Sequence, residues 1–477
     1  MYDFTIIGAG VIGCTIAREL SRYKLNVLLL EKEGDVSNGA SKANSGIVHG
    51  GYDAKHGTMK SKFSRAGNRM FAQLNEELNF GYTECGSLVL AFSEDDFTTL
   101  EKLKLNGELN GVDDLEMIDQ DQVRALEPYI HQSVIGALYC PSVGITSPYE
   151  LTIALAESAV ANGVDLRLNQ EVRSIEKDET FLVTTQNNSY KTENVINAAG
   201  AYSDEIAGML GMGDFTIIPR RGEYVLLNKD QGHLANTVLF QCPTDKGKGI
   251  LVTRTYHGNL MLGPNAQEVD DPSEVGTNKE VLDYIVATAK NSIPTFDIRR
   301  TLTSFSGIRA TSSRHDFIIE ESSVKGFINV AGIESPGLTS SPAIGKYVVT
   351  IIEGMGVELE VNQSFNPNRP PIIKVKGEAY TGVVDGETPE TNIICRCEKV
   401  TEAEIVDALS RGIDVKSIDS IKRRTRAGMG PCQGSFCSKR VAAVIARNKG
   451  MTEEEVPKRG EGSSILPPRE DRMFWRD

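Results

Sequence analysis

Apolar positions near the start of the chain fall into two periodicities. Phe4-Thr5-Ile6-Ile7 is a short apolar run of strand length, after which Ile12, Ile16, Leu20 and Tyr23 recur at helical spacing. Asn26-Val27-Leu28-Leu29-Leu30-Glu31 is a second run, apolar enough to be buried on both faces of a sheet. The pattern over 3–31 therefore predicts strand, tight turn, helix, strand. Leu151, Ala154, Leu155 and Ala159 mark a helix over 147–162, and Val164-Asp165-Leu166-Arg167 a strand after it. From Ser340 the chain opens another helix, with Pro342 in its first turn.

Beyond Ile352 the pattern loosens into Asn366-Pro367-Asn368-Arg369-Pro370-Pro371 and a Gly-, Thr- and Pro-bearing stretch, which reads as a linker over 366–391. Thr401-Glu402-Ala403-Glu404 is a capping-box signature opening a helix with Ile405, Ala408 and Leu409 on one face. A second short helix over 439–449 ends at Gly450. Two helices of this size bury little core, so a bound metal group is expected to supply much of this domain's stability.

Composition narrows the class. With 477 residues, 40% hydrophobic and 24% charged, the chain is an ordinary globular protein of two or three domains. A formal charge of −14 excludes nucleic acid as a main partner. No apolar run approaches the roughly 20 residues of a membrane span, and the chain enters a strand-like run at once, without a signal-peptide pattern. The expected location is the cytoplasm, where cysteines serve as ligands or buried thiols rather than disulfides. Cys14, Cys85, Cys140 and Cys242 are scattered and read as packing residues. The other four gather near the C-terminus.

Gly8-Ala9-Gly10-Val11-Ile12-Gly13 joins the first strand to the helix. Gly8 allows the tight turn, Gly10 the approach of a pyrophosphate, and Gly13 close packing of helix on strand. The pyrophosphate would rest on the helix N-terminus. Glu31, 18 residues after Gly13, can accept from ribose hydroxyls. This is a dinucleotide site, and it does not choose between FAD and NAD.

Gly39-Ala40-Ser41-Lys42-Ala43-Asn44-Ser45-Gly46-Ile47-Val48-His49-Gly50-Gly51-Tyr52 resembles the flavin-contacting loop of D-amino-acid-oxidase-like flavoproteins. The likeness is to the branch of FAD-dependent glycerol-3-phosphate dehydrogenases and L-2-hydroxyglutarate oxidases. It extends over roughly residues 1–365 through Val195-Ile196-Asn197-Ala198-Ala199-Gly200-Ala201, Phe305-Ser306-Gly307-Ile308-Arg309 and Asn329-Val330-Ala331-Gly332-Ile333-Glu334-Ser335-Pro336-Gly337-Leu338-Thr339-Ser340. The resemblance implies FAD, with contacts from Ser41, Asn44, Ser45, Val172, Ala199, Gly200, Gly307, Gly332, Gly337, Leu338 and Thr339 beside Gly8, Gly10, Gly13 and Glu31. The N-terminus of the closing helix would face the flavin pyrimidine and favour the anionic reduced ring.

The implied chemistry is oxidation of a carbon bearing a hydroxyl or an amine, with hydride passing to flavin N5. His49 is the candidate base; its alternative role is only to hydrogen-bond the flavin or the loop. His257 lies in a turn signal and reads as a loop residue. An anionic 2-hydroxy or phosphate substrate needs a cationic clamp. Arg309 is the first choice; the segment Arg220-Arg221-Gly222-Glu223-Tyr224, with Arg221 as its binding residue, Arg314 and Tyr52 are secondary candidates. Where aerobic glycerol-3-phosphate dehydrogenases carry a lysine in the closing loop, this chain has Glu334-Ser335, closer to the 2-hydroxyglutarate side.

Cys395-Arg396-Cys397 and, 34 residues on, Cys432-Gln433-Gly434-Ser435-Phe436-Cys437 suit either zinc or a 2Fe–2S cluster. The segment resembles the bacterioferritin-associated-ferredoxin-like domain fused to the anaerobic glycerol-3-phosphate dehydrogenase large subunit, which implies 2Fe–2S and a second flavoprotein or electron-acceptor subunit. The expected fold is α/β: a Rossmann-like FAD-binding domain (1–80, 146–211, 311–365), an inserted α+β mixed-sheet substrate domain (81–145, 212–310), a small helical iron–sulfur domain (392–450) and a polar tail (451–477) carrying Trp475. The expected activity is oxidation of sn-glycerol 3-phosphate, with electrons leaving through the cluster. The alternatives are L-2-hydroxyglutarate or an amino acid as substrate, or a non-catalytic redox adaptor.

Overall fold

The first apolar run pairs in parallel on both sides. Tyr2–Ile7 lies between Ser189–Asn197 and Val27–Leu30, and Val27–Leu30 lies beside Asp165–Arg167. Every residue of Val27–Leu30 is buried, as expected of a parallel strand covered on both faces. Phe327–Ala331 adds in parallel to one half of Ser189–Asn197, and Ile318–Glu321 folds back antiparallel on it. An antiparallel ribbon of Val172–Lys177 and Phe181–Thr185 continues the sheet from the other half, giving eight strands. The computed structural model describes residues 1–243, 249–374, 376 and 382–466; Trp475 lies outside them.

A second sheet of nine strands draws on Ser87–Ala91, Glu116–Asp119 and Gly136–Cys140, and then on strands between Ile217 and Ser312. It is mixed, because Val238–Gln241 runs parallel to Ser87–Ala91 while its other pairings are antiparallel. Its longest pairing joins Ile217–Leu227 to Thr301–Ser312, with Arg220 opposite Arg309.

Two helices differ from the apolar pattern. Pro148–Ala161 was expected to bury one face, yet Leu151 through Ala159 are all buried, Glu157 and Ser158 included. Val11–Leu20 and the C-terminal helix Ile418–Thr425 both pack against it, which accounts for burial on all sides of its middle turns. The closing helix spans Gly337–Gly354 rather than opening at Ser340, which places Pro342 inside it. A proline there leaves the Leu338 carbonyl without its backbone donor, and the Ser341 hydroxyl donates to that oxygen instead, at 2.9 Å.

The C-terminal segment carries three helices. Glu402–Leu409 opens on the expected capping box, and Ser438–Lys449 ends at Gly450 with φ of 65°. Ile418–Thr425, capped by Ser417, went unnoticed in the pattern because Lys422-Arg423-Arg424 hides its apolar stripe. All three pack into the same continuous core as the parallel sheet and its helices. Charge reinforces this docking. Arg424 grips Asp35 with two hydrogen bonds of 2.7 and 2.8 Å, and Arg423 donates to the same carboxylate at 2.7 Å.

Asp35 is 1% exposed. Burial alone would raise its pKa, but the two guanidiniums hold it well below the usual carboxylate range. Glu157 takes Arg369 at 2.6 Å, with Arg411 and Arg424 at 3.6 and 3.7 Å. Arg369 falls in the stretch expected to be a linker, and it is buried. The chain after the last helix is also docked: the backbone N–H groups of Ile418 and Asp419 donate to the Pro457 and Lys458 carbonyls.

Breaking one side of a buried ion pair costs about 3–5 kcal/mol. Arg424→Leu, which leaves Asp35 with a single guanidinium, is therefore expected to lower the urea midpoint of unfolding by a matching amount at unchanged slope.

Candidate functional site

The glycines of the first turn stand where close approach demands them. Gly8 has φ of 102°, and a Cβ there would lie 2.5 Å from the Ala198 carbonyl oxygen. A Cβ on Gly13 would lie 1.9 Å from the Gly8 carbonyl oxygen, so only glycine lets the helix start this close to its strand. The Val11 N–H donates to Ser41 Oγ at 2.8 Å, tying the flavin-type loop to the helix N-terminus. Glu31 accepts from the N–H groups of Ala9 and Glu33 at 2.8 and 3.0 Å. Its burial raises the carboxyl pKa to about 7 against those two bonds.

A cavity of about 2010 Å³ opens from this turn and passes between the two sheets. Gly8, Gly10, Glu31 and Ser41 line it, with Val172, Ala199 and Gly200 nearby. Asn44, Ser45 and Gly307 also line it, as do Gly337 and Leu338. Gly13, Gly332 and Thr339 stand behind the wall and shape it. Asn44 folds the loop on itself, donating to the Ser41 carbonyl and accepting from the Gly46 N–H. At Gly307 a Cβ would lie 2.0 Å from the Ala43 carbonyl oxygen, so the loop crosses the long strand there. Thr339 Oγ1 accepts from the His49 N–H at 2.9 Å and donates to the Ile47 carbonyl at 3.2 Å, which clamps the loop to the closing helix. The His49 ring lies on Phe240, with centroids 6.0 Å apart.

The cationic side chains sort by strand alternation. Arg309 and Arg220 are cross-strand neighbours on one face of the long pair, and both line the cavity. Gly222 lies on the same face, where a Cβ would approach Arg309 Nη2 to 3.1 Å. Arg221 points the other way, to Glu223 at 3.3 Å and Glu274 at 3.7 Å. Of the pair Arg220-Arg221 it is Arg220 that faces the cavity, because side chains alternate across a sheet.

Tyr52, another secondary candidate, also lines the cavity. Its ring is buried in the core beside the second sheet, and its hydroxyl meets Ser87 Oγ at 3.2 Å. Arg314 is an outer residue paired with Asp214 and Glu320.

Residues that went unnoticed complete the polar wall. Lys60 donates to Glu334 at 2.6 Å and Thr311 donates to the same carboxylate at 2.7 Å. Against its burial, Lys60, Thr311 and Arg220 hold the Glu334 carboxyl below its ordinary pKa. His257 is in a turn, as expected, but it faces the cavity and meets Glu150 at 2.6 Å. Lys60 had no signal in its own segment, since only folding brings it to the closing loop.

The four C-terminal thiols stand as two pairs, Cys397 with Cys432 at 3.8 Å and Cys395 with Cys437. Among the described residues, no three Cys, His, Asp or Glu side chains close on a single ion. Two pairs suit two irons, and Gly430 lets the loops meet, since a Cβ there would lie 2.2 Å from Cys397 Cβ. The Cys395 thiol is pulled down to about 6 by Cys437 and, against its burial, by the N–H groups of Gly428, Glu398 and Cys397, so a thiolate ligand is already favoured. The same contact pushes Cys437 up, the pair sharing one proton.

Known proteins agree with this division. Residues 3–351 match the family model of FAD dependent oxidoreductases, and residues 393–447 that of BFD-like [2Fe-2S] binding domains. The chain is 48% identical over 471 residues to a glycerol 3-phosphate dehydrogenase of Caloramator mitchellensis, covering 98% of each chain. The dithionite-reduced, FAD-bound L-alpha-glycerophosphate oxidase of Mycoplasma pneumoniae superposes with a TM-score of 0.74 at 33% identity, over 77% of this chain and 98% of that one. An L-2-hydroxyglutarate dehydrogenase of Escherichia coli is 32% identical over 56% of this chain and 64% of its own length.

Because Glu31 titrates near 7 in the folded protein and near the ordinary carboxylate range when unfolded, its folded pKa is raised. Its contribution to stability is therefore full at acid pH and lost as pH rises through about 7. Flavin-free protein is expected to lose stability across that interval in thermal melts, and Glu31→Gln to flatten the loss.

Proposed function

The chain belongs to the FAD dependent oxidoreductase family, and we propose that it oxidises sn-glycerol 3-phosphate to dihydroxyacetone phosphate and passes the electrons through a 2Fe–2S cluster to a partner subunit. The observation that carries the substrate is the charge of the cavity wall beside the flavin loop. Arg220, Arg309 and Lys60 against Glu334 leave two net positive charges, which match a phosphate monoester dianion. A zwitterionic amino acid would leave them unmatched. 2-Hydroxyglutarate is also a dianion but divides its charge between two separate carboxylates, and the 48% identity to a glycerol 3-phosphate dehydrogenase favours the phosphate.

Bound FAD would supply a hydride acceptor, held by Gly8, Gly10, Glu31 and Ser41, and the cysteine pairs would hold a one-electron exit. The chain's own residues do the rest. Arg309, anchored to the Asn265 carbonyl at 3.3 Å, and Arg220 hold the phosphate and so orient the carbinol carbon. His49, fixed through its backbone by Thr339 and flanked by Phe240, takes the proton of the C2 hydroxyl on its imidazole nitrogen. The second sheet supplies the facing wall of the cavity, through Arg220, Tyr224, Met261 and Arg309.

The Fe–S domain's share of the cavity wall supports an exit route: Tyr149 Oη meets Met429 Sδ at 3.4 Å, and Arg426 at 3.2 Å, between the cavity and the cysteine loop. Cys14, Cys85, Cys140 and Cys242, none of them in a disulfide, and the four cluster cysteines support a reducing, cytoplasmic setting. No helix among the described residues is long and apolar enough to cross a membrane.

Anaerobic addition of glycerol 3-phosphate is expected to bleach the flavin band and then the cluster band, while L-2-hydroxyglutarate and amino acids bleach neither. Bleaching by 2-hydroxyglutarate alone would transfer the assignment to that acid, and bleaching by none would make the protein a redox adaptor. Arg309→Leu is expected to raise the KM for glycerol 3-phosphate about ten- to hundredfold, the loss of a charge-assisted hydrogen bond, whereas Arg221→Gln changes it little.

A further inference from the structure

The helix Ile418–Thr425 carries more than the ion pair to Asp35. Its Lys422 and Arg423 line the same cavity as Gly10, Val11 and Lys42, although they belong to the iron–sulfur domain. Arg423 gives one guanidinium nitrogen to Asp35, while its Nε is buried with no hydrogen-bond partner among the described residues. Lys42 follows Ser41, the residue bonded to the Val11 N–H, and its ammonium rests on the Asn38 amide oxygen at 3.1 Å.

Cations dominate this corner. Burial and then Arg423 lower the pKa of Lys42, with Glu33 and Asp419 opposing and Arg459 adding to the fall. Burial also lowers that of Lys422, with Asp419 opposing and Lys458, Arg459 and Arg423 adding to it. Asp419 is itself 3.5 Å from Arg459. A positive pocket at the N-terminus of Val11–Leu20 calls for a multiply charged anion. The first turn of that helix offers N–H groups but no basic side chain of its own.

We propose that the iron–sulfur domain completes the flavin site, with Lys422 and Arg423 joining Lys42 to hold the diphosphate of FAD against the N-terminus of Val11–Leu20. The two cofactor sites are then linked. FAD binds the docked arrangement more tightly than an undocked one, and by the same free energy it stabilises the docking. One helix thus serves both cofactors, with Arg424 seating the domain and Lys422 and Arg423 facing the nucleotide.

The test is titration of flavin-free, cluster-loaded protein with FAD, followed by flavin fluorescence at low and high salt. Lys422→Met is expected to raise the Kd for FAD about tenfold at low salt, equal to about 1.4 kcal/mol. The loss should shrink at high salt, where the charge is screened, and iron content should stay unchanged. An unchanged Kd, or a rise that is equal at low and high salt, would overturn the proposal. Should Lys422→Met shed the cluster, Lys422→Arg decides: wild-type affinity supports the diphosphate contact, and a tenfold weaker one refutes it. Substrate plays no part in the measurement, so its outcome is independent of the activity assigned above.

Discussion

The grip of Arg424 and Arg423 on Asp35 is the contact on which the rest of the molecule depends. Asp35 lies between the second strand of the dinucleotide unit and the loop that reaches the flavin site, so its partners decide what stands beside that loop. Carboxylate and guanidinium are both nearly inaccessible, and each charge would be costly to bury alone. Paired in a bidentate geometry they fix direction as well as charge, since each carboxylate oxygen meets its own guanidinium nitrogen. Glu157 adds a second buried charge cluster, with Arg369 and Arg411 gathered at one of its oxygens.

That docking explains an otherwise odd helix. Pro148–Ala161 buries polar residues on the side where a surface helix would show them to water, because the iron–sulfur domain covers it. Its first turn thereby brings Tyr149 between the cavity and Met429, and Glu150 to His257. The cysteine loops are therefore part of the wall of the flavin cavity and not a module on a tether. The cysteine loops and the flavin cavity are joined by a helix that is buried from Leu151 to Ala159.

The substrate end depends on a different constraint, the register of two long strands. Arg220 and Arg309 act together only because Gly222 and Gly307 lie beside them on the same face, one clearing space for a guanidinium and the other for the flavin loop. A shift of one residue would present Arg221 and Ile308 instead. Lys60 and Glu334 then meet from two further segments, so the charge of the wall is the product of four separate stretches of chain.

Local chemistry carried the sequence a long way. The glycine turn with Glu31, the flavin loop, the capping box at Thr401 and the spaced cysteine pairs are short-range features, each legible because a few neighbouring residues suffice to specify it. From them followed both cofactors, the α/β architecture and Arg309 as a clamp. Which of Arg220 and Arg221 faces the cavity is set by strand parity, which no single segment contains. Lys60 and the cavity-facing place of His257 were missed because their partners lie far along the chain. The seating of the iron–sulfur domain was hidden more deeply, in a helix whose basic run looks like solvated surface until Asp35 is placed opposite it. Sequence by itself determined which groups the chain can bind, because cofactor motifs are local. Tertiary structure alone decided which charges face one another, because register and docking bring together residues that are remote in sequence.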